Sequence, residues 1–184
     1  MASAEARTRL GAQQSDLMRA LHGQGAALAG ADTKRLSATA DALFRKRRRS
    51  VARAWPALVQ ALGNRFLERF AAFAVQTVLP REGGAFADGR EFVRFLAKLG
   101  DLPDAGRVEA LAVDLHYTQS SGGLVPRRGP AFKLAMLKNP RRLILALRAP
   151  WLGERWLTIP LYFLRNRDGK SQAIQVWYNN DHCT

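Results

Sequence analysis

Two hydrophobic periods divide this chain, and the change between them near Tyr117 limits what it can fold into. Before that point apolar residues recur every three or four positions, the spacing of amphipathic helices; after it they fall into short runs bounded by Gly, Pro, Asn and Asp, the pattern of strands. The first segment, Ser3 to Leu21, carries Leu10, Leu17, Met18 and Leu21 at helical spacing and is broken by Gly23, Gly25 and Gly30. Asp32 is placed to cap a second helix running to Trp55, with Leu36, Ala40, Phe44, Val51 and Trp55 on one stripe. Pro56 suits the first position of a short helix, Ala57 to Leu62, that Gly63 stops.

Three further helices are expected. Asn64 caps one whose face is Phe66, Phe70, Phe73 or Ala74, and Val78. Asp88 caps one presenting Phe92, Phe95, Leu96 and Leu99, and Asp104 caps one running toward Tyr117. A stretch of linker-like composition from Ser120 to Pro130 follows. Strands are then expected over Phe132–Leu137, Arg142–Leu147, Trp156–Leu164 and Ala173–Trp177, with Asn139-Pro140 and Asp168-Gly169 as turns. Pro160 marks the third of these as an edge strand or a bulged one. The fold class is therefore α+β: an N-terminal bundle of about six helices, then a small antiparallel sheet of three to four strands. The corresponding division is a helical domain over 1–119 and a small β domain over 120–184.

Charge narrows the partners. The 184 residues hold 29 Lys and Arg against 15 Asp and Glu, a formal charge of +14, which favours an anionic partner: nucleic acid, a membrane surface or an acidic peptide. The excess lies in two blocks. One is Arg45, Lys46, Arg47, Arg48, Arg49 and Arg53 on the second helix. Five consecutive residues wrap more than a helical turn, so Arg47 or Arg48 must face inward, toward an acid such as Glu68, Glu109 or Asp114. Arg45, Arg48, Arg49 and Arg53 are the candidate anion-binding or partner-docking residues of this block. The other block is Arg127, Arg128, Lys133, Lys138, Arg141, Arg142 and Arg148 along the strands. Basic residues on a sheet edge either prevent edge-to-edge aggregation or receive an acidic peptide as an added strand.

Motifs for catalysis are missing from the sequence. His22, His116 and His182 have no second ligand at metal spacing, and Cys183 is the lone cysteine. The glycine pairs fit neither a phosphate-cradling loop nor a dinucleotide fingerprint, and Ser120-Ser121 lacks a nucleophile-elbow context. A chain with no catalytic residues, no metal site and no cofactor of its own is the expectation. No apolar run reaches the roughly 18 residues that span a bilayer, and residues 1–10 do not form a secretory signal, so no membrane partner and a cytoplasmic location are expected.

A resemblance sharpens this reading. In order along the chain stand Leu43-Phe44-Arg45-Lys46-Arg47-Arg48-Arg49-Ser50-Val51, Trp55-Pro56-Ala57-Leu58, Leu62-Gly63-Asn64-Arg65-Phe66, Phe70, Phe92-Val93-Arg94-Phe95-Leu96 and Pro140-Arg141-Arg142-Leu143. The series resembles a bacterial family catalogued as a DNA-binding domain, whose better-understood members are partner proteins of multinuclear non-heme iron oxidative enzymes (MbnC-like, from methanobactin biosynthesis). The family's Tyr-Arg-Asn-Asn helix is replaced by Phe44-Arg45-Lys46-Arg47-Arg48. The resemblance implies an accessory protein of ribosomal-peptide (RiPP) biosynthesis. Its helical part docks the iron enzyme, which carries the iron, and its sheet holds the leader of a precursor peptide as an added strand. The implied peptide-binding residues are Phe132, Lys133, Leu134, Lys138, Arg141, Arg142, Leu143 and Arg148. The alternative is a DNA-binding regulator. Against it, the second helix starts Thr33-Lys34-Arg35 after a glycine-rich connection unlike a helix-turn-helix turn, and the phenylalanines stand at core spacing.

Overall fold

Alanine, leucine, lysine and arginine dominate the stretch before Trp55, and these strong helix formers fold as α1, Thr33–Ala54. The structure, a computed structural model, describes residues 5–9, 11–12, 33–149, 151 and 153–160. Residues 5–9 and 11–12 are helical. The glycine break at Gly23, Gly25 and Gly30, the Asp32 cap, His22, the Asp168-Gly169 turn, the strand Ala173–Trp177, and the His182-Cys183 pair lie outside the described residues. After α1 come α2 (Pro56–Leu62), α3 (Arg65–Gln76), α4 (Gly84–Lys98) and α5 (Asp104–His116). The strands are β1 (Tyr117–Gln119), β2 (Leu124–Pro126), β3 (Ala131–Lys138), β4 (Arg141–Ala149) and β5 (Gly153–Pro160). Helices precede two small antiparallel sheets, so the fold is α+β. Two compact units form: Met1–Ala54 with Asn64–Leu79, and Trp55–Gly63 with Pro80–Thr184.

In the first unit α1 and α3 meet through aromatic rings. Phe70 lies 5.6 Å from both Phe66 and Phe73 and 6.0 Å from Phe44. Arg47 is the arginine of the basic run that turns inward, and it is buried. Its guanidinium sits over the Phe70 and Phe73 rings, 5.9 and 5.2 Å from their centroids, and donates to the carbonyls of Ala74 (3.4 Å) and Thr77 (2.9 Å). Carbonyls at the end of α3 have no partner within the helix, so a buried cation there satisfies them and finds the negative faces of two rings. The acids expected to meet this arginine are committed elsewhere. Glu109 and Asp114 bond within the second unit, and Glu68 lies 3.8 Å from Arg69.

In the second unit Trp55 is fully buried, and its indole N–H donates to the carbonyl of Ala85 at 3.2 Å. Helix α2 has Pro56 at its first position and Gly63 at its C-terminal cap. Arg90 of α4 and Asp114 of α5 form a two-pronged ion pair, 2.8 Å on each arm. The hydrogen bond to Asp114 holds the Arg90 guanidinium above its ordinary range, against the opposing effect of burial.

The acids and amide read from sequence as helix caps have other places. Asn64 is itself helical in backbone angle and makes no capping bond. Helix α4 begins at Gly84, four residues before Asp88, which is buried inside it. Asp104 is the first residue of α5, where its carboxylate accepts from Lys138 and Asn139. The stretch expected as a linker contains a hairpin, with β1 and β2 pairing from Tyr117↔Pro126 to Gln119↔Leu124. Gly123 makes the turn close: its φ is +143°, and a Cβ there would stand 2.2 Å from the Glu82 carbonyl oxygen.

The larger sheet has the order β3-β4-β5 with one-to-one register; the runs expected over Phe132–Leu137 and Arg142–Leu147 are strands, and so is the described part of Trp156–Leu164, whose residues after Pro160 lie outside the described residues. β5, which carries Pro160, is an edge strand among the described residues, as that proline required. One face of the sheet packs on α5: Ala131, Ile144 and Ala146 share a buried cluster with Leu111 and Leu115, and Val108, Ala135, Leu137 and Trp156 pack against it. A boundary at 119/120 therefore cuts through a single core.

Candidate peptide-binding edge

Strand β3 reads Ala131-Phe132-Lys133-Leu134-Ala135-Met136-Leu137-Lys138, and its burial alternates strictly along its length. Side chains of a strand point to opposite faces in turn. The odd-numbered residues are therefore the ones that meet α5, while Phe132, Leu134 and Met136 face the other way and are 59%, 53% and 59% exposed. Their cross-strand partners are Leu147, Leu145 and Leu143, and beyond these on β5 stand Leu157 and Ile159. The face away from α5 is thus apolar through the middle of all three strands, with Lys138 and Arg141 at one end and Arg155 at the other.

The end of β3 is tied to α5. The N–H of Lys138 donates to both carboxylate oxygens of Asp104 at 3.0 Å, and the N–H of Asn139 donates to one at 2.9 Å. On its outer side β3 is paired by no described strand. The other edge of the sheet, on β5, includes Pro160, which has no N–H to donate.

The eight sequence-predicted peptide residues divide among four positions. Phe132 and Leu134 are on the exposed row of β3, and Leu143 is on the same face, opposite Met136. Lys133 is half-buried on the α5 side of the edge strand. Lys138 and Arg141 face each other beside the Asn139-Pro140 turn. Arg142 pairs with Leu137 on the α5 side, and the half-buried Arg148 donates to the carbonyl of Arg127 at 3.3 Å. Arg141, Arg142, Leu143 and Arg148 thus belong to β4, the central strand, whose backbone is paired on both sides. The basic block is not an edge feature as expected, because the hairpin turns its second half inward in strand order. Met136 was missed by attention to charge. The alternation of Phe132, Leu134 and Met136 is the signal that finds it.

The other candidate set lies on α1. Arg45, Arg49 and Arg53 are exposed and Arg48 is half-buried. Residues four apart share a helix face. Arg45, Arg49 and Arg53 therefore make a ridge of cations about 6 Å apart along the axis, the rise of four helical residues.

Among the described residues no group of three His, Cys, Asp or Glu is arranged to hold a metal ion. His116 stands 3.2 Å from Glu154. The Ser120 hydroxyl donates to Glu82 at 2.6 Å and accepts from the Gly122 N–H, which fixes the β1–β2 turn. No helix among the described residues is long and apolar enough to cross a membrane.

Comparison with known proteins is confined to the helices. No curated protein and no solved structure matches the chain. Residues 11–98 match the family described as SCO6045-like, C-terminal domain, a similarity that ends at Lys98, the last residue of α4, and so stops short of α5 and all five strands.

Proposed function

We propose that this protein is a non-catalytic partner that binds a precursor peptide as an added strand on β3 and presents it to a multinuclear non-heme iron oxidative enzyme in the biosynthesis of a modified ribosomal peptide. The observation that carries the reading is the edge itself: no described strand pairs with β3 on its outer side, and its Phe132, Leu134 and Met136 side chains are exposed. Strand addition supplies affinity through the backbone and selectivity through alternate side chains. The iron belongs to the enzyme, and this chain supplies recognition. The helices are the docking side of the reading, and α3 turns Leu67 and Val75 outward as apolar surface for a partner.

The test is co-expression with any multinuclear iron oxidative enzyme and any small Cys-containing peptide that genes flanking this one encode. A complex that retains all three through size exclusion is the expected result. Absence of both the enzyme complex and peptide binding overturns the reading.

A second reading rests on the α1 ridge of Arg45, Arg49 and Arg53, whose exposed cations suit a polyanion and make this chain a DNA-binding regulator. Its test is a gel shift. Sequence-selective retention that survives about 0.2 M salt supports it, because counterion release alone loses affinity steeply with salt.

A further inference from the structure

An antiparallel sheet with one face in solvent normally alternates apolar residues inward with polar residues outward. The β3-β4-β5 sheet departs from that pattern. On one face Ala131, Ile144 and Ala146 are buried against Leu111 and Leu115 of α5. On the other, Phe132, Leu134 and Met136 stand opposite Leu147, Leu145 and Leu143, and all three β3 side chains are more than half exposed. β5 continues this face with Leu157 and Ile159. A sheet that is apolar on both faces calls for a layer on each, and α5 is one of them. An exposed apolar patch with a polar rim marks an interaction surface.

The dimensions of the open face suit a single helix. The row from Phe132 to Lys138 runs about 20 Å and the three strands span about 10 Å, the length and width of a helix of roughly 13 residues. On the opposite face α5, with 13 residues, has that size.

Charge decides what kind of partner fits. Lys138 and Arg141 face each other in register, both exposed, and end this face at the Asn139-Pro140 turn; Arg155 stands at its other end. The described residues of the three strands place no Asp or Glu here, since Glu154 is on the α5 side, 3.2 Å from His116. A second copy seated face to face would bring Lys138 and Arg141 against one basic end or the other, in either orientation. A flat lipid surface meets what protrudes, whereas the leucines of β4 and β5 are half-buried beside the more exposed β3 row. Reaching them takes a ridge of side chains, which a helix provides.

We infer that this face docks an amphipathic α-helix of a partner protein, with an apolar stripe along its length and acidic residues at the end that meets Lys138 and Arg141. The inference uses the face of the sheet and not its edge, so it goes beyond the peptide-partner reading and does not depend on it.

The experiment uses the full chain and three synthetic peptides of about 16 residues, each held helical by a side-chain lactam on its polar side. The first has Leu at helical spacing along one face and a pair of Glu residues in its first turn, where the helix dipole also favours them. The second carries Lys in place of Glu. The third keeps the composition of the first but distributes its Leu residues around the helix. Binding is followed by fluorescence anisotropy in about 0.15 M salt, where general attraction to a basic protein is screened beyond roughly 8 Å. Sedimentation of the free chain, and its retention on vesicles of phosphatidylcholine with phosphatidylglycerol, are measured alongside.

The first peptide is expected to bind about tenfold more tightly than either of the others. Leu134→Glu puts a charge in the apolar face and is expected to weaken it by about the same factor. Lys138→Glu with Arg141→Glu is expected to reverse the order of the first and second peptides. Equal binding of the first and third peptides, an unchanged order in the charge-reversed chain, or no binding of any peptide overturns the inference. A dimer that Leu134→Glu dissolves, or vesicle binding that it abolishes, overturns it in favour of a second copy or a lipid surface. Where Leu134→Glu does not fold, the comparison of peptides on the unaltered chain decides.

Discussion

Glu109 of α5 closes the amino end of α2: its carboxylate accepts the N–H of Leu58 at 2.8 Å and that of Ala57 at 3.2 Å. The residue at the ordinary capping position is Trp55, which makes no side-chain capping bond because its indole is committed to Ala85. Glu109→Ala leaves two helix-end donors without this acceptor and is expected to cost about 1–2 kcal/mol. Glu109→Gln keeps an oxygen in place and should cost less. Urea unfolding of both variants, with unchanged slope, checks the order.

Gly89 lies against the indole of Trp55. A Cβ at residue 89 would stand 2.0 Å from the indole nitrogen, and Trp55 is fully buried with nowhere to retreat. Gly89→Ala, a change that normally favours a helix, is therefore expected to destabilise the second unit by about 3 kcal/mol through overpacking. A lower midpoint of thermal unfolding with a red-shifted tryptophan emission would confirm it. An unchanged midpoint would show that the indole can move.

The basic run on α1 should separate by direction of side chain. Arg47→Met removes the donor to Ala74 and Thr77 and the cation above Phe70 and Phe73, and is expected to cost about 1–3 kcal/mol. Replacing the exposed Arg45, Arg49 and Arg53 by Gln should leave stability within about 0.5 kcal/mol, the usual range for surface substitutions. It should also flatten the salt dependence of binding to duplex DNA or heparin, since every phosphate that is no longer neutralised lowers the slope by nearly one unit. Heparin chromatography and denaturation on the same proteins read both effects.

Arg141→Glu with Arg142→Glu reverses two exposed charges at the start of β4 while leaving the apolar pairs of the hairpin intact. Binding of the precursor peptide is expected to fall about tenfold or more, with circular dichroism unchanged. Equal affinity would assign these arginines to solubility alone.

Truncation after Tyr117 removes the strands that cover α5. Leu111 and Leu115 would lose Ala131, Ile144 and Ala146, and burial of each leucine contributes about 1.5–3 kcal/mol. The fragment is expected to aggregate or to lose cooperative unfolding. A soluble, cooperatively melting fragment would show that α5 is stable without the sheet.

Local punctuation was legible in the sequence wherever one residue decides one feature. Pro56 and Gly63 bound α2, and the phenylalanines at positions 66, 70 and 73 form a buried face. What could not be read is where a polar group reaches across the fold. Asp104 and Glu109 serve N–H groups 34 and 51 residues away, and local capping rules have no access to such partners. Arg47 could be placed inward from its period, but its described partners include carbonyls and rings of α3, which a count of acids does not find. The β1–β2 hairpin escaped because its Ser-Gly-rich turn has the composition of a linker, and only the approach of Gly123 to Glu82 shows why glycine is needed there. For the candidate edge, charge drew attention to Arg141 and Arg142, whereas strand order puts these on the central strand and leaves the open edge on β3.

The carboxylate of Asp104 at the end of β3 also bears on self-association. An exposed apolar edge is a hazard, since identical strands can stack on it without limit. Here the end of β3 is occupied by a carboxylate, and a second copy of the strand would add the charges of its own Lys133 and Lys138 to the edge. The acid that anchors the hairpin and the lysines along β3 thus work against unlimited stacking on this edge.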